Sequence, residues 1–236
     1  MTRRSNDEQG SAETAETARR VTHHWPLYSG IVAVIAVVAL GALIALRDGN
    51  LPFTFDTSWA DELAEHRTAF WTIPALVMNN IGGGLIGVFI VPVLIVVALC
   101  IARRFWAALY FAIASAVSAG LVQLLKNLYE RPRPTDILVP ADLGSFPSGH
   151  TANAATMAVV LGFVLQRYWV WIAGAIYTIA MLLSRTYLGA HWLSDTLGGL
   201  VLGAAIAVIV WTPLATRLHD ERERRKSAAS KRAPNG

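Results

Sequence analysis

Residues 105–134 read FWAALYFAIASAVSAGLVQLLKNLYERPRP. No residue from Phe105 to Leu125 is charged, and the run meets the roughly 20 apolar residues needed to cross about 30 Å of hydrocarbon. Lys126, Glu130, Arg131 and Arg133 then follow, with Pro132 and Pro134 among them. This abrupt change predicts a membrane-spanning helix that ends in a stiff polar island. Two further islands interrupt apolar sequence downstream: PSGH at 147–150 and SRTYLGAHWLSD at 184–195. Ionisable residues at the ends of membrane segments are costly to place, so they point to function.

The whole chain supports a membrane reading. Of its 236 residues 54% are hydrophobic and 15% charged, too apolar and too poor in charge for an average soluble domain. The expectation is an all-α polytopic membrane protein of one domain. Cys100 is the only cysteine, which excludes an internal disulfide. The net charge of +4 fits basic cytoplasmic loops better than a nucleic-acid partner.

Six spans are expected, near 28–46, 85–101, 105–125, 151–165, 168–183 and 193–212. Residues 1–24 and 217–236 read as disordered tails around a membrane domain at 25–216. The stretch 52–67 reads as an interfacial helix or ordered loop, and 70–78 as a segment at or dipping into the interface. Gly82–Gly84 is either a loop into the second span or a point of close helix approach. Arg3, Arg4, Arg19, Arg20, Arg103, Arg104, Arg167 and the basic residues after Arg217 fall on one face. Both tails are therefore expected to be cytoplasmic. Trp169, Trp171, Trp192 and Trp211 fit interfacial anchoring, and His23, His24, His66 and His219 receive no catalytic role.

Alternating spans bring Lys126, Pro147–His150, Arg185, His191 and Asp195 to the outer ends of spans three to six. His191 and Asp195, four apart, share a helix face. The carboxylate either fixes the imidazole tautomer or, with Ser194, merely caps a helix. Ser148, Gly149 and His150 open the fourth span, where free N–H groups and the helix dipole favour an anion. There His150 is either a general acid or a histidine at the water interface behind an ordinary cap. Lys126 and Arg133 suit phosphate oxygens or headgroup snorkelling. Arg131 is assigned no role beyond facing solvent or Glu130.

The three motifs, Lys126 to Arg133-Pro134, Pro147-Ser148-Gly149-His150, and Ser184-Arg185 to His191 to Asp195, resemble those of the type 2 phosphatidic acid phosphatase superfamily at every defining position. The resemblance implies a metal-independent phosphatase acting through a phosphohistidine. His191 would attack phosphorus, Asp195 orient it, and His150 protonate the leaving oxygen. Lys126, Arg133, Ser148, Gly149 and Arg185 would hold the phosphate oxygens. No metal or cofactor is implied, and three cations would repel a metal at the two histidines and carboxylate.

An outer-facing site at interface depth suits a membrane lipid phosphate, and the compact chain resembles bacterial plasma-membrane members. Undecaprenyl diphosphate leads, with phosphatidate and phosphatidylglycerophosphate as alternatives. Vanadate-dependent haloperoxidase chemistry shares the anion pocket, but in soluble proteins. A non-hydrolytic lipid or anion transporter would need the cations but not the His191–Asp195 pair.

Overall fold

The computed structural model describes residues 2–141 and 144–230, with side chains for 24–47, 49–141 and 144–227. Among the described residues it is all-helical. The helices are α1 (Thr2–Ala45), α2 (Thr54–Glu65), α3 (Ala69–Gly82), α4 (Val91–Ile101), α5 (Phe105–Tyr129), α6 (Gly149–Leu165), α7 (Tyr168–Tyr187) and α8 (Leu193–Ser230). A π-helical turn, Ile86–Ile90, leads into α4.

Four stretches are long and apolar enough to cross a membrane: His24–Ala45, Phe105–Tyr129, Tyr168–Tyr187 and Leu193–Ser227. The α3 and π-turn/α4 pair passes the same test as one unit bent by 47°. Helix α6 is apolar but shorter. Apolar side chains such as Val32, Ile35, Leu94 and Ile176 lie exposed on the outside of this bundle, as expected where lipid rather than water is the neighbour.

The segment at 70–78, expected at or dipping into the interface, belongs to this pair. It is the first half of a bent apolar unit whose second half is the run after Gly84. At the break the chain passes close to α6: a Cβ on Gly83 would fall 1.8 Å from His150 Nε2, so a side chain there would displace the imidazole. Carbonyls at the break are satisfied from α6, because His150 Nε2 lies 3.2 Å from Asn79 O and Asn153 Nδ2 donates to Gly87 O at 2.9 Å. Irregular backbone is tolerated at membrane depth when protein groups satisfy it in this way.

Helix α6 sits centrally, against α3, α5, α7 and α8. It approaches α8 closely, since a Cβ on Gly203 would meet Ala152 O at 2.1 Å. Packing of small residues is a main source of helix association where water is absent. One apolar cluster joins Tyr110, Phe111, Val160 and Ala207 toward the arginine-rich end. A second joins Ile44, Val122, Leu125, Phe146 and Leu202 beneath the polar islands.

Helix α1 already runs from Thr2, although side chains before His24 lie outside the described residues. Helix α8 continues to Ser230, and Glu221 is buried. The reason is local: Glu221 accepts from Trp106 N at 2.8 Å and Ala107 N at 3.3 Å, capping the exposed amides at the start of α5. Residues 231–236 lie outside the described residues. Two of the tryptophans expected as anchors contact one phenylalanine of α6, and Trp171 remains 41% exposed. Trp211 stacks on Phe163 at 4.8 Å, and Trp171 meets the same ring edge-on at 5.4 Å.

Candidate active site

Helix α5 stops where Glu130 enters the left-handed region at φ 42°, with its N–H returned to Lys126 O. The prolines at 132 and 134 then keep the chain from resuming a helix. Backbone bonds stitch this island to the other two. Ser145 N donates to Arg131 O, Leu138 N to Leu188 O, and Ser148 N to Asp195 O, all at 2.8–2.9 Å.

Within this frame Lys126 Nζ donates to Gly144 O at 2.6 Å. Arg133 reaches the same carbonyl at 3.1 Å and Ala190 O at 2.5 Å. Arg133 Nη1 also lies 3.3 Å from His191 Nε2. A guanidinium can only donate, so Nε2 accepts and carries the ring's free lone pair. The ring proton is therefore on Nδ1, which lies 3.6 Å from Asp195 Oδ2. That distance is an ion-pair approach rather than a formed hydrogen bond, and among the described residues Nδ1 has no hydrogen-bond partner.

His191 is 3% exposed, in the turn between α7 and α8. Burial holds its pKa well below the ordinary histidine value, and the charges of Arg185, Lys126 and Arg133 lower it further. The imidazole is thus neutral, with its lone pair turned toward cations. His150, at the start of α6, has the opposite arrangement. A carbonyl can only accept, so the contact with Asn79 O places a proton on His150 Nε2. Arg185, from the last turn of α7, donates to Asn79 Oδ1, and its buried Nε has no hydrogen-bond partner among the described residues.

Ser148 is fully buried and caps α6, accepting from Thr151 Oγ1 at 3.2 Å and Thr151 N at 3.5 Å. Gly149, the first residue of α6, is among the positions whose N–H has no partner within the helix. All eight sequence-selected residues therefore collect at one end of the bundle.

The largest correction concerns Arg131, which faces neither solvent nor Glu130. Its side chain is 0% exposed. Nη1 donates to Asp195 Oδ1 at 2.5 Å and Ser194 Oγ at 2.8 Å, and Nη2 to Asp56 Oδ2 at 2.9 Å. The left-handed turn at Glu130 redirects the chain, so Arg131 points into the protein. Asp56, from α2, completes this buried group. Sequence reasoning also missed Asn79, whose only advance signal was its place just before the glycine run. Trp192 Nε1 donates to Pro132 O at 2.9 Å, making it a strut between islands.

Comparison with known proteins follows the same residues. The PAP2 superfamily profile matches residues 105–218, which includes all eight sequence-selected residues but neither Asp56 nor Asn79. The chain is 31% identical over 139 residues to decaprenylphosphoryl-5-phosphoribose phosphatase of Mycobacterium tuberculosis, covering 56% of this chain and 75% of that protein. The chain belongs to the PAP2 superfamily. It is 30% identical over 134 residues to phosphatidylglycerophosphatase B of Bacillus subtilis, covering 52% of this chain and 66% of that protein, just under two thirds. A crystal structure of a transmembrane PAP2-type phosphatidylglycerolphosphate phosphatase from Bacillus subtilis superposes with a TM-score of 0.68. It covers 89% of this chain and 100% of that one at 22% identity. This last likeness establishes a shared fold, and with the apolar helices it makes the chain an integral membrane protein.

Proposed function

We propose that the chain is a metal-independent lipid phosphatase working through a phosphohistidine at His191. One observation carries the reading. The Nε2 lone pair of a buried, neutral imidazole is turned toward Arg133, while Nδ1 faces Asp195. A phosphate drawn to Lys126, Arg133 and Arg185 would meet that lone pair directly.

In the first step Nε2 of His191 attacks phosphorus and the bond to the lipid oxygen breaks. His150, carrying a proton on each ring nitrogen once the anionic phosphate is bound, passes its Nε2 proton to the departing oxygen and is left neutral. The ring, now phosphorylated on Nε2 and protonated on Nδ1, is cationic, and Asp195 offsets that charge. In the second step water attacks phosphorus, gives a proton back to His150, and returns His191 neutral with inorganic phosphate released. The three cations, the Ser148 hydroxyl and the Gly149 N–H would bind the non-bridging oxygens. Charge stabilisation and positioning dominate phosphoryl transfer.

The leading substrate is undecaprenyl diphosphate, whose leaving group would be the lipid monophosphate. The polyprenyl phosphate in the name of the mycobacterial relative supports a chain of this kind. Phosphatidylglycerophosphate is the second reading, favoured by the name of the Bacillus relative. Counting the bent unit and α6 gives six crossings. Six crossings would put both termini on the arginine-rich side, which the positive-inside rule makes cytoplasmic in a bacterial plasma membrane, and the site on the outer face.

The test is inorganic phosphate release by purified protein, with chelator present. Undecaprenyl diphosphate, phosphatidate and phosphatidylglycerophosphate are compared, alongside His191→Ala. Release that survives chelation and falls by about 10⁴-fold or more in the variant is expected, since loss of a nucleophile removes nearly all covalent catalysis. No release by folded protein from any of the lipids would move the chain to the transporter reading.

A further inference from the structure

Asp56 is the only buried residue of α2, and its neighbours Asp61 and Glu62 are exposed. Its carboxylate is 0% exposed and takes four donors. Oδ2 accepts from Ser194 Oγ at 2.7 Å, Arg131 Nη2 at 2.9 Å and Phe53 N at 3.3 Å. Oδ1 accepts from Ser194 N at 2.8 Å. A carboxylate at the start of one surface helix thus grips the first turn of α8, which bears Asp195.

The charges explain why a second carboxylate is present. Arg131 bonds Asp195 Oδ1 directly, and a guanidinium at that distance would by itself cancel most of the charge of Asp195. His191 is meanwhile surrounded by Lys126 on α5, Arg133 on the following connection, His150 on α6 and Arg185 on α7. On α8 the group facing it is Asp195. A ring that becomes cationic among these neighbours needs a net negative counter-charge behind it. Two carboxylates around one guanidinium leave one negative charge; one carboxylate leaves none.

We propose that Asp56 and Arg131 are positioning residues: Asp56 neutralises Arg131, so that Arg131 can fix Asp195 in place without removing the charge that supports His191. The proposal rests on the phosphohistidine reading for its effect on turnover. Its electrostatic content, the charge felt by His191, is a property of the resting protein and can be measured without substrate.

Four full-length proteins in detergent decide it: wild type, Asp56→Asn, Arg131→Gln and the double variant. The pH titration of the His191 ring nitrogens is followed by NMR of ¹⁵N-histidine-labelled protein, with His191→Gln assigning the signal. The kinetic constants kcat and KM are measured on whichever lipid the wild type hydrolyses.

Asp56→Asn keeps the shape but leaves Arg131 balanced by Asp195 alone, with no net negative charge behind the ring, so the His191 midpoint should move to lower pH. Its kcat should fall by about tenfold or more, a coupling typical of groups in one hydrogen-bond network, with KM nearly unchanged. The double variant restores a single negative charge. Its midpoint should return toward wild type, and its kcat should exceed that of Asp56→Asn.

An unmoved midpoint in Asp56→Asn, or simple addition of the two single losses, would reduce Asp56 to a helix cap and overturn the proposal. Should Arg131→Gln fail to fold, Asp56→Glu replaces it. Retained charge should then keep the midpoint near wild type even if kcat drops, and a shift as large as that of Asp56→Asn would count against the proposal. Absence of phosphate release by wild type would sink the phosphatase reading alone, because the titration still tests the charge balance.

Discussion

Two groups of buried charge lie at the same end of the bundle and solve the cost of burial differently. In the first, Arg131 is held between the carboxylates of Asp56 and Asp195. In the second, Lys126 and Arg133 donate to the carbonyls of Gly144 and Ala190, and Arg185 donates to the amide of Asn79. A carboxylate cancels a cation's charge, whereas a carbonyl dipole eases its desolvation and leaves the charge in place. The first group is consequently suited to fixing geometry. Beside the second, burial lowers the pKa of His191 and the charges of Arg185, Lys126 and Arg133 lower it further. His191 sits where the two groups meet, with Nδ1 on the carboxylate side and Nε2 on the cation side.

Breaking the carboxylate side at its point of contact should have the greatest effect. Asp195→Asn removes the charge facing Nδ1 and disturbs the Arg131 contact. By analogy with histidine-carboxylate pairs in acyl transfer, kcat should drop by about 10³- to 10⁴-fold. Phosphate-release kinetics on folded variant would show it. A rate within tenfold of wild type would return Asp195 to the role of an α8 cap, a role its bond from Trp192 N at 2.9 Å already fills.

The two groups were not equally legible in the sequence. The cation side and both histidines could be read from spacing, because each motif sits at a span end and alternation of the spans brings those ends to one level. The carboxylate side could not. Arg131 and Asp56 are 75 residues apart, and Asp56 stands in a polar stretch beside Asp61, Glu62 and Glu65 with nothing to mark it out. Arg131 was misread because its neighbour Glu130 offered an obvious exposed partner. The left-handed turn at Glu130, which no periodicity announces, reverses that direction. The bent α3–α4 unit was half legible: the glycines were conspicuous, but their contact with His150 depends on how α3 packs against α6.

Disturbing the cation side should cost less. Arg185→Lys keeps the charge and loses the planar fork that reaches Asn79 and an incoming oxygen together. A fall in kcat/KM of about a hundredfold is expected, the scale of losing one preorganised donor. Initial rates on one lipid at several concentrations would measure it. If Lys at 185 were fully active, charge alone would suffice, and the contrast between the two groups would lie in net charge rather than geometry.

The finest test of the contrast is pH. Burial and three cations lower the pKa of His191, so its neutral, nucleophilic form persists as pH falls below the ordinary histidine value of about 6.5. The acid limb of kcat/KM reports the free enzyme and should therefore lie below that value. Arg185→Gln removes one cation from the field. Protonation of His191 then becomes less unfavourable, its pKa rises, and the acid limb should move to higher pH, with the lipid's own ionisation cancelling when both enzymes are compared on one substrate. Asp56→Asn should move the same limb the other way, because it adds net positive charge behind the ring. Opposite displacements from two residues on opposite sides of His191 would locate the imidazole between the groups. Displacement in one direction for both would mean that His191 senses general loosening of the site rather than the sign of the charge removed.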